Sequence, residues 1–372
     1  PLRKVFHRSR NVRIRLEEVR SIDFNNHRLI TNREDIEYDV LVIATGTETN
    51  FFGNQRLVEC AFPMKSTVEA LQLRHQLISN FENAMVVKDP GELQRLMNIV
   101  VVGGGPTGVE LSGALAEMKA YVLPKDYPEL DFSKMNIYLI EGGSKTLGTM
   151  SEKSSADSLR YLQDLGVLVT TNTVVSDFDG STVELKDGRK IPARTVIWAA
   201  GVKGSIPAGV DPSLIVRGNR IMVDRQNRVN GFSNVYAIGD VAAMPAPGYP
   251  NGHPQLASVA IQQGGLLGEN LIRMQRKQSQ LRDFEYNDKG TMATVGRNLA
   301  VVDLPHPKLH FRGFIAWFIW MSLHLFLILG VKNRFFVFSN WIYNYFTYDQ
   351  SLRLIFPEFN KVVKKPEPVI NH

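Results

Sequence analysis

One run limits the fold of this chain more than any other: Asn98-Ile-Val-Val-Val-Gly-Gly-Gly-Pro-Thr-Gly-Val-Glu-Leu-Ser-Gly-Ala-Leu-Ala-Glu117. Its β-branched start reads as a fully buried central strand, its glycines as a tight turn and its continuation as a helix. Gly103, Gly105 and Gly108 form G-x-G-x-x-G. Glycines at this spacing let backbone N–H groups approach a pyrophosphate, which a helix N-terminus favours. A glycine turn with no ligand is the bland alternative. Against it stands Glu141 at the end of the next strand, placed to bind the adenosine ribose hydroxyls. No Arg follows it closely, so NADH is expected over NADPH, with Lys145 the one competing cation. The distance from Gly108 to Glu141 exceeds the usual spacing, and Tyr121 to Ser133 reads as an insertion.

The segments around this run complete a doubly wound unit between about Leu96 and Gly201. Lys134 to Glu141 reads as a second strand, Ser155 to Leu165 as a helix stopped by Gly166, and Val167 to Thr171 as a third strand. Asp187-Gly188 is a hairpin turn between Thr182–Leu185 and Lys190–Ile191, and Thr195 to Gly201 returns to the sheet. Ser66 to Phe81 has helical spacing, with Ser66 or Thr67 as N-cap. Val12–Arg15 and Arg28–Ile30 are expected as short strands of a hairpin region.

A second set of signals lies outside that unit. Tyr38 to Gly46 reads as a buried parallel strand ending on small residues. Ile221 to Asp224 and Val235 to Asp240 read as strands of a different sheet, and Val259 to Met274 as a helix. Gly264-Gly265 within that helix suggest a close approach of backbone or ligand, and Pro245 to Pro254 a surface loop. An Asp at a buried strand's end, as in Gly239-Asp240, can bind a ribityl or diphosphate chain; helix-capping is its commoner use. The whole is an α/β chain with two Rossmann-like dinucleotide-binding domains.

The C-terminal part has another character. Phe314 to Val331 is apolar except for Ser322 and His324, and an aromatic stretch follows from Phe335 to Phe346. Eighteen residues fall short of the ~20 that span a bilayer. Amphipathic helices lying in the interface fit Arg312, Lys332, Arg334 and the aromatic residues as well as a spanning helix does. A dimer contact and a buried core helix are the remaining alternatives, and His324 reads as interfacial. The net charge of +6 is mild, and its clustering at the tail, with Lys361, Lys364 and Lys365, suits an anionic membrane surface. No basic stripe suggests nucleic acid. The 372 residues suffice for two or three domains. The single cysteine, Cys60, rules out an internal disulfide, a thiolate metal site and a redox dithiol, so disulfide reductases and sulfide:quinone oxidoreductases are set aside; no metal ligands are assigned.

Several segments in order resemble the type II NADH:quinone oxidoreductases, the non-proton-pumping alternative NADH dehydrogenases. They are Ala44-Thr-Gly-Thr47 with Asn50-Phe-Phe-Gly53, Gly103 to Glu110, Val235 to Asp240, Ala257-Ser-Val-Ala-Ile-Gln-Gln263, Lys289-Gly-Thr-Met-Ala-Thr-Val-Gly296 and the amphipathic tail. The resemblance implies FAD and NADH as cofactor and substrate, with hydride transfer to FAD and two-electron reduction of a membrane quinone. It implies Thr45, Gly46, Gly201, Gly239 and Asp240 as FAD- or nucleotide-binding residues beside Gly103, Gly105, Gly108 and Glu141. Glu110 would be the carboxylate near flavin and nicotinamide, Gln262 the glutamine beside the isoalloxazine, and Lys289 a lysine near the flavin. Ser258 stands where the family usually has a first glutamine. Domain limits of 1–66 and 206–300 for FAD, 67–205 for NADH and 301–372 for the membrane-binding segment follow. The opening glycine motif of the FAD half does not occur in the sequence, so a fragment of a longer chain is expected. The tail, 311–346, implies a monotopic position on the cytoplasmic face of a bacterial cell membrane, with a homodimer as a further partner. The alternatives are a truncated, flavin-free membrane-associated protein without catalysis and a related flavoprotein reductase with another acceptor.

Overall fold

A computed structural model of the chain describes residues 2–278, 280–328 and 330–347; Lys361, Lys364 and Lys365 of the basic cluster lie outside them. Along the chain run strands β1 (Leu41–Ile43), β2 (Phe62–Pro63), β3 (Asn98–Val102), β4 (Asn136–Ile140), β5 (Leu168–Thr170), β6 (Thr195–Trp198), β7 (Val235–Ala237), β8 (Thr291–Gly296), β9 (Leu299–Leu304) and β10 (Leu309–Arg312). Helices α1 (Thr67–Val86), α2 (Pro106–Glu117), α3 (Glu152–Asp164), α4 (Ala257–Gln275), α5 (Gly313–Leu327) and α6 (Val331–Thr347) accompany them. Two compact units form. Of the described residues, one takes those up to Asn50 with those of Gly201–Gly290; the other takes Phe51–Ala200 and those from Thr291 to Thr347.

The second unit is built on a five-stranded sheet of order β2-β6-β3-β4-β5, parallel throughout. Every residue of β3 and β6 is buried, which explains their continuous apolar sequence. Successive side chains alternate between two cores. Ile99, Val101, Leu139 and Ile197 pack with Leu77 and Phe81 of α1 and Leu115 of α2. Val100, Val102, Val196 and Trp198 pack with Phe178 and Val183 of a small antiparallel sheet on the other face. Each such side chain contributes about 1.5–3 kcal/mol by leaving water.

Helix α1 begins at a capping box: the Ser66 hydroxyl accepts from the Glu69 amide while the Glu69 carboxylate accepts from the Ser66 amide. The expected insertion after α2 is helical. A π-helical turn, Met118–Val122, and a short helix, Leu123–Asp126, prolong α2, and Val122, Leu123 and Phe132 are buried. Beyond Thr291, β8, β9 and β10 form an antiparallel meander. It is tied to α3 by His310, which stands between Asp303 at 3.0 Å and Asp157 at 3.2 Å.

The tail helices follow directly. Phe311 and Arg312 belong to β10, and α5 buries Ala316 against Ala300 and Val302 of β9. The helices break before Gly330, whose φ is +87°. No helix among the described residues is long and apolar enough to cross a membrane.

In the first unit, β1 and β7 pair in parallel, Leu41 beside Val235 and Ile43 beside Ala237. Arg220–Met222 does not share their sheet; it pairs in parallel with Ala242–Ala243. Val12–Arg15 forms no strand; the first hairpin is Val19–Asp23 with Arg28–Thr31. Arg15 is drawn instead into an ion pair with Glu34. Helix α4 is as expected; a Cβ on Gly264 would lie 3.8 Å from the Ile238 side chain, an ordinary contact, and nothing lies within 4 Å of one on Gly265.

Candidate active site

The glycine turn sits at the carboxyl end of β3, where a parallel sheet presents ligands to its helices. Gly103 has φ +108°, and a Cβ there would lie 2.5 Å from the Ala199 carbonyl oxygen after β6. A Cβ on Gly108 would lie 1.8 Å from the Gly103 carbonyl oxygen, so α2 can pack on the strand only without one. At Gly105 the space is open, and this N-cap offers no side chain to the first amides of α2. Those amides and the helix dipole suit a pyrophosphate.

Beside the turn lies a cavity of about 500 Å³ lined by Gly103, Glu141, Val174, Lys186 and Trp198 among others. The Glu141 carboxylate accepts from the Gly104 and Gly143 amides, which fixes it beside the glycine turn and this cavity. Lys145 is turned into an ion pair with Glu152 at the start of α3. Open turn, uncapped helix and acceptor carboxylate together suit the pyrophosphate and ribose of NADH.

A second cavity, of about 510 Å³, lies between α2, the meander and the tail helices. Glu110, Ala114 and Glu117 of α2 line one side, and Trp317, Trp320, Trp341 and Tyr345 the other. Helix α2 lies so close to β8 that a Cβ on Gly113 would sit 1.4 Å from the Val295 carbonyl oxygen. The Glu110 carboxylate accepts from the Thr294 amide at 3.2 Å, and Glu117 accepts from the Arg297 amide. Burial pushes the Glu110 carboxyl above the usual range, against the Thr294 hydrogen bonds and the field of His324. The Arg297 guanidinium donates to the Asn344 carbonyl at 3.1 Å and the Tyr345 carbonyl at 2.6 Å, clamping the end of α6 to the meander. His324 is exposed and stacks on Trp320 at 4.1 Å between ring centres.

The first unit holds the other predicted residues. Gly46 and Gly239 end the adjacent strands β1 and β7, with φ +68° and +71°. The Thr45 hydroxyl donates to the Ser205 carbonyl, and the Thr47 hydroxyl to Asp240 at 3.4 Å. No atom lies within 4 Å of a Cβ built on Gly46. This paired strand end, with a carboxylate and hydroxyls around an open glycine, suits the hydroxylated chain of a flavin dinucleotide. Gly201 accepts from the Asn50 amide at 3.1 Å. The Gln262 side chain is bound at both ends to Asn287, donating to its carbonyl at 3.0 Å and accepting from its amide at 2.9 Å. It is thereby brought to the loop that carries Lys289, which is exposed. Ser258 is bonded to the Tyr286 hydroxyl at 2.9 Å. Glu110 belongs to the other unit.

Sequence reasoning passed over Glu117, Arg297 and Gly113. Glu117 follows Glu110 by seven residues, a spacing that returns to one helix face and was the available signal. Nothing local marks Arg297.

Parallel strands that run into open glycine turns in both units fit the class of two-dinucleotide oxidoreductases. The family model described as pyridine nucleotide-disulphide oxidoreductase matches residues 3–264, and that of the NDH2 C-terminal domain matches 289–348. Two type II NADH:quinone oxidoreductases of Mycobacterium tuberculosis are similar. NdhA is 33% identical over 91% of this chain and 74% of its own length, and Ndh is 34% identical over 92% and 75%. The solved structure of NDH2 from Plasmodium falciparum in complex with NADH shares the fold, with a TM-score of 0.79 at 21% identity over 89% of this chain and 83% of that one. The chain belongs to the type II NADH:quinone oxidoreductase family.

Proposed function

We propose that the protein oxidises NADH bound at the Gly103–Gly108 turn and reduces a quinone whose ring enters the aromatic cavity beside Glu110. The activity is that of its family, a flavin-dependent NADH:quinone oxidoreductase without proton pumping. FAD, when bound, supplies the two-electron relay between the nicotinamide and the quinone. Thr45, Gly46, Gly239 and Asp240 would hold its polar chain. Gly103, Gly105 and Gly108 would admit the NADH pyrophosphate, and Glu141 would hold the adenosine ribose and disfavour a 2′-phosphate. Gln262, fixed by Asn287, would orient the loop of Lys289 toward the flavin ring.

The observation that carries this reading is Glu110: a half-buried carboxyl, its pKa raised by desolvation, on the wall of a cavity rich in aromatic side chains. A quinone becoming a quinol needs protons at its oxygens, and a carboxyl titrating nearer neutrality supplies them better than an ordinary one. Trp317, Trp320 and Trp341 offer faces to a planar ring.

The tail reads as a monotopic anchor on the cytoplasmic face. Phe314, Phe326, Leu327, Phe335 and Phe346 each expose more than half their surface, and Lys332 and Arg334 lie among them. That mixture suits an anionic lipid interface, from which a quinone could reach the cavity directly. A homodimer through the same surface is the competing occupant.

The test is Glu110→Gln, assayed with NADH and a short-chain quinone. The variant should lose at least about tenfold in kcat for quinone reduction with little change in the KM for NADH. An unchanged kcat would remove Glu110 from the proton chemistry.

A further inference from the structure

We infer that Glu117 is the proton-uptake residue of the quinone cavity, taking protons from solvent and passing them along one face of α2 to Glu110. The inference rests on the reading of Glu110 given above. The overall reaction, NADH + H⁺ + quinone → NAD⁺ + quinol, draws one proton from solvent in each turnover. Glu110 is half-buried on the wall of this cavity, so the proton it gives up is replaced through the cavity.

Among the described residues that line the cavity, Glu110 and Glu117 are the only carboxylic acids, and no histidine, lysine or cysteine accompanies them. The rest are apolar or aromatic, apart from Thr294, Asn344, Tyr345 and Arg297. Arg297 cannot release a proton, and its guanidinium is already committed to the Asn344 and Tyr345 carbonyls.

Both carboxylates are held alike. Each accepts a backbone amide from the same stretch of chain, Glu110 from Thr294 and Glu117 from Arg297. The chain makes room for the second one: a Cβ on Gly296 would lie 2.9 Å from Glu117 Oε1. That bond uses Oε1, and Glu117 is itself part of the cavity lining. Seven residues along a helix advance about 10 Å, too far for direct transfer. The small Ala114 lies between them on the same wall, and a cavity of about 510 Å³ accommodates bridging water.

Glu117→Gln keeps an acceptor for the Arg297 amide and removes the exchangeable proton. The expected result is about a tenfold fall in kcat for quinone reduction, with both KM values within about twofold. Formate, a small diffusible acid, should restore that rate severalfold. Flavin content and melting temperature report the fold; if Glu117→Gln does not hold flavin, Glu117→Asn, which also lacks the exchangeable proton, takes its place in the same assay. A variant with the parent's kcat overturns the inference, and so does a slow variant that formate does not rescue, since that is the behaviour of a purely structural carboxylate. Glu110→Gln is run in parallel. If it is slow while Glu117→Gln is normal, only the uptake role fails; if it is itself normal, the reading of Glu110 has failed.

Discussion

Gly113→Ala tests whether the cavity depends on the close docking of α2 against β8. An added Cβ would lie 1.4 Å from the Val295 carbonyl oxygen, whereas Cβ atoms essentially never come within 3.0 Å of such an atom. Helix and strand must therefore separate by about 1.6 Å, the difference between those two distances. The Glu110–Thr294 bond, 3.2 Å long, cannot survive that shift unless the side chain follows, and the Glu117–Arg297 bond fails with it. Two charge-assisted hydrogen bonds at about 1.5–3 kcal/mol each are at stake, partly offset by about 1 kcal/mol of improved helix propensity. A net loss of about 3 kcal/mol follows, which lowers the melting temperature of a domain this size by about 6–12 °C. Differential scanning fluorimetry with and without FAD measures it, and quinone turnover should fall with the lost geometry. The matched control is Gly268→Ala on α4, where nothing lies within 4 Å of the added Cβ and stability should rise slightly. A Gly113→Ala protein melting within a degree or two of the parent, with full turnover, would refute the docking argument.

Three further outcomes follow from the same geometry. Glu141→Gln should raise the KM for NADH about tenfold or more and narrow the preference over NADPH, measured by steady-state kinetics with both nucleotides; equal KM values would remove Glu141 from ribose binding. Burial raises the Glu110 pKa, so its contribution to stability is fully present below the unfolded value near 4.5 and is lost as pH rises through the folded value. Glu110→Gln should therefore melt like the parent in acid and gain on it toward neutrality; a gap that stays constant from acid to neutral pH would contradict the shift. Leu327→Ser with Phe335→Ser, at two exposed tail positions, should weaken binding to vesicles containing about a third phosphatidylserine by about a hundredfold or more; unchanged vesicle binding with loss of a dimer would give that surface to a second copy.

The glycine turn and its flanking strand and helix were readable in the sequence because their determinants are local. A buried strand, three glycines and an acidic residue at the next strand's end each act within a few residues of their neighbours, and the β3 turn, α2 and Glu141 lie where the pattern puts them. The capping box at Ser66 is local in the same way. The aromatic cavity was not readable, because it joins α2 to chain about two hundred residues away at Thr294–Arg297 and farther still at Trp341 and Tyr345. What brings them together is a backbone approach at Gly113 that no periodicity announces. Val12–Arg15 shows the opposite error: it was expected as a strand, but Arg15 finds an acidic partner in Glu34 rather than a neighbouring strand. The stretch after α2 looked like an insertion by spacing, yet its apolar residues pack into the same core as the helix it prolongs.

The most direct test of the account is to follow NADH loss and quinol formation together, without oxygen, with the purified protein, FAD and a soluble quinone. The account predicts equal amounts of NADH consumed and quinol formed, with NADPH a markedly poorer donor. NADH oxidation that proceeds without quinol, or quinol formed equally well from NADPH, would contradict it.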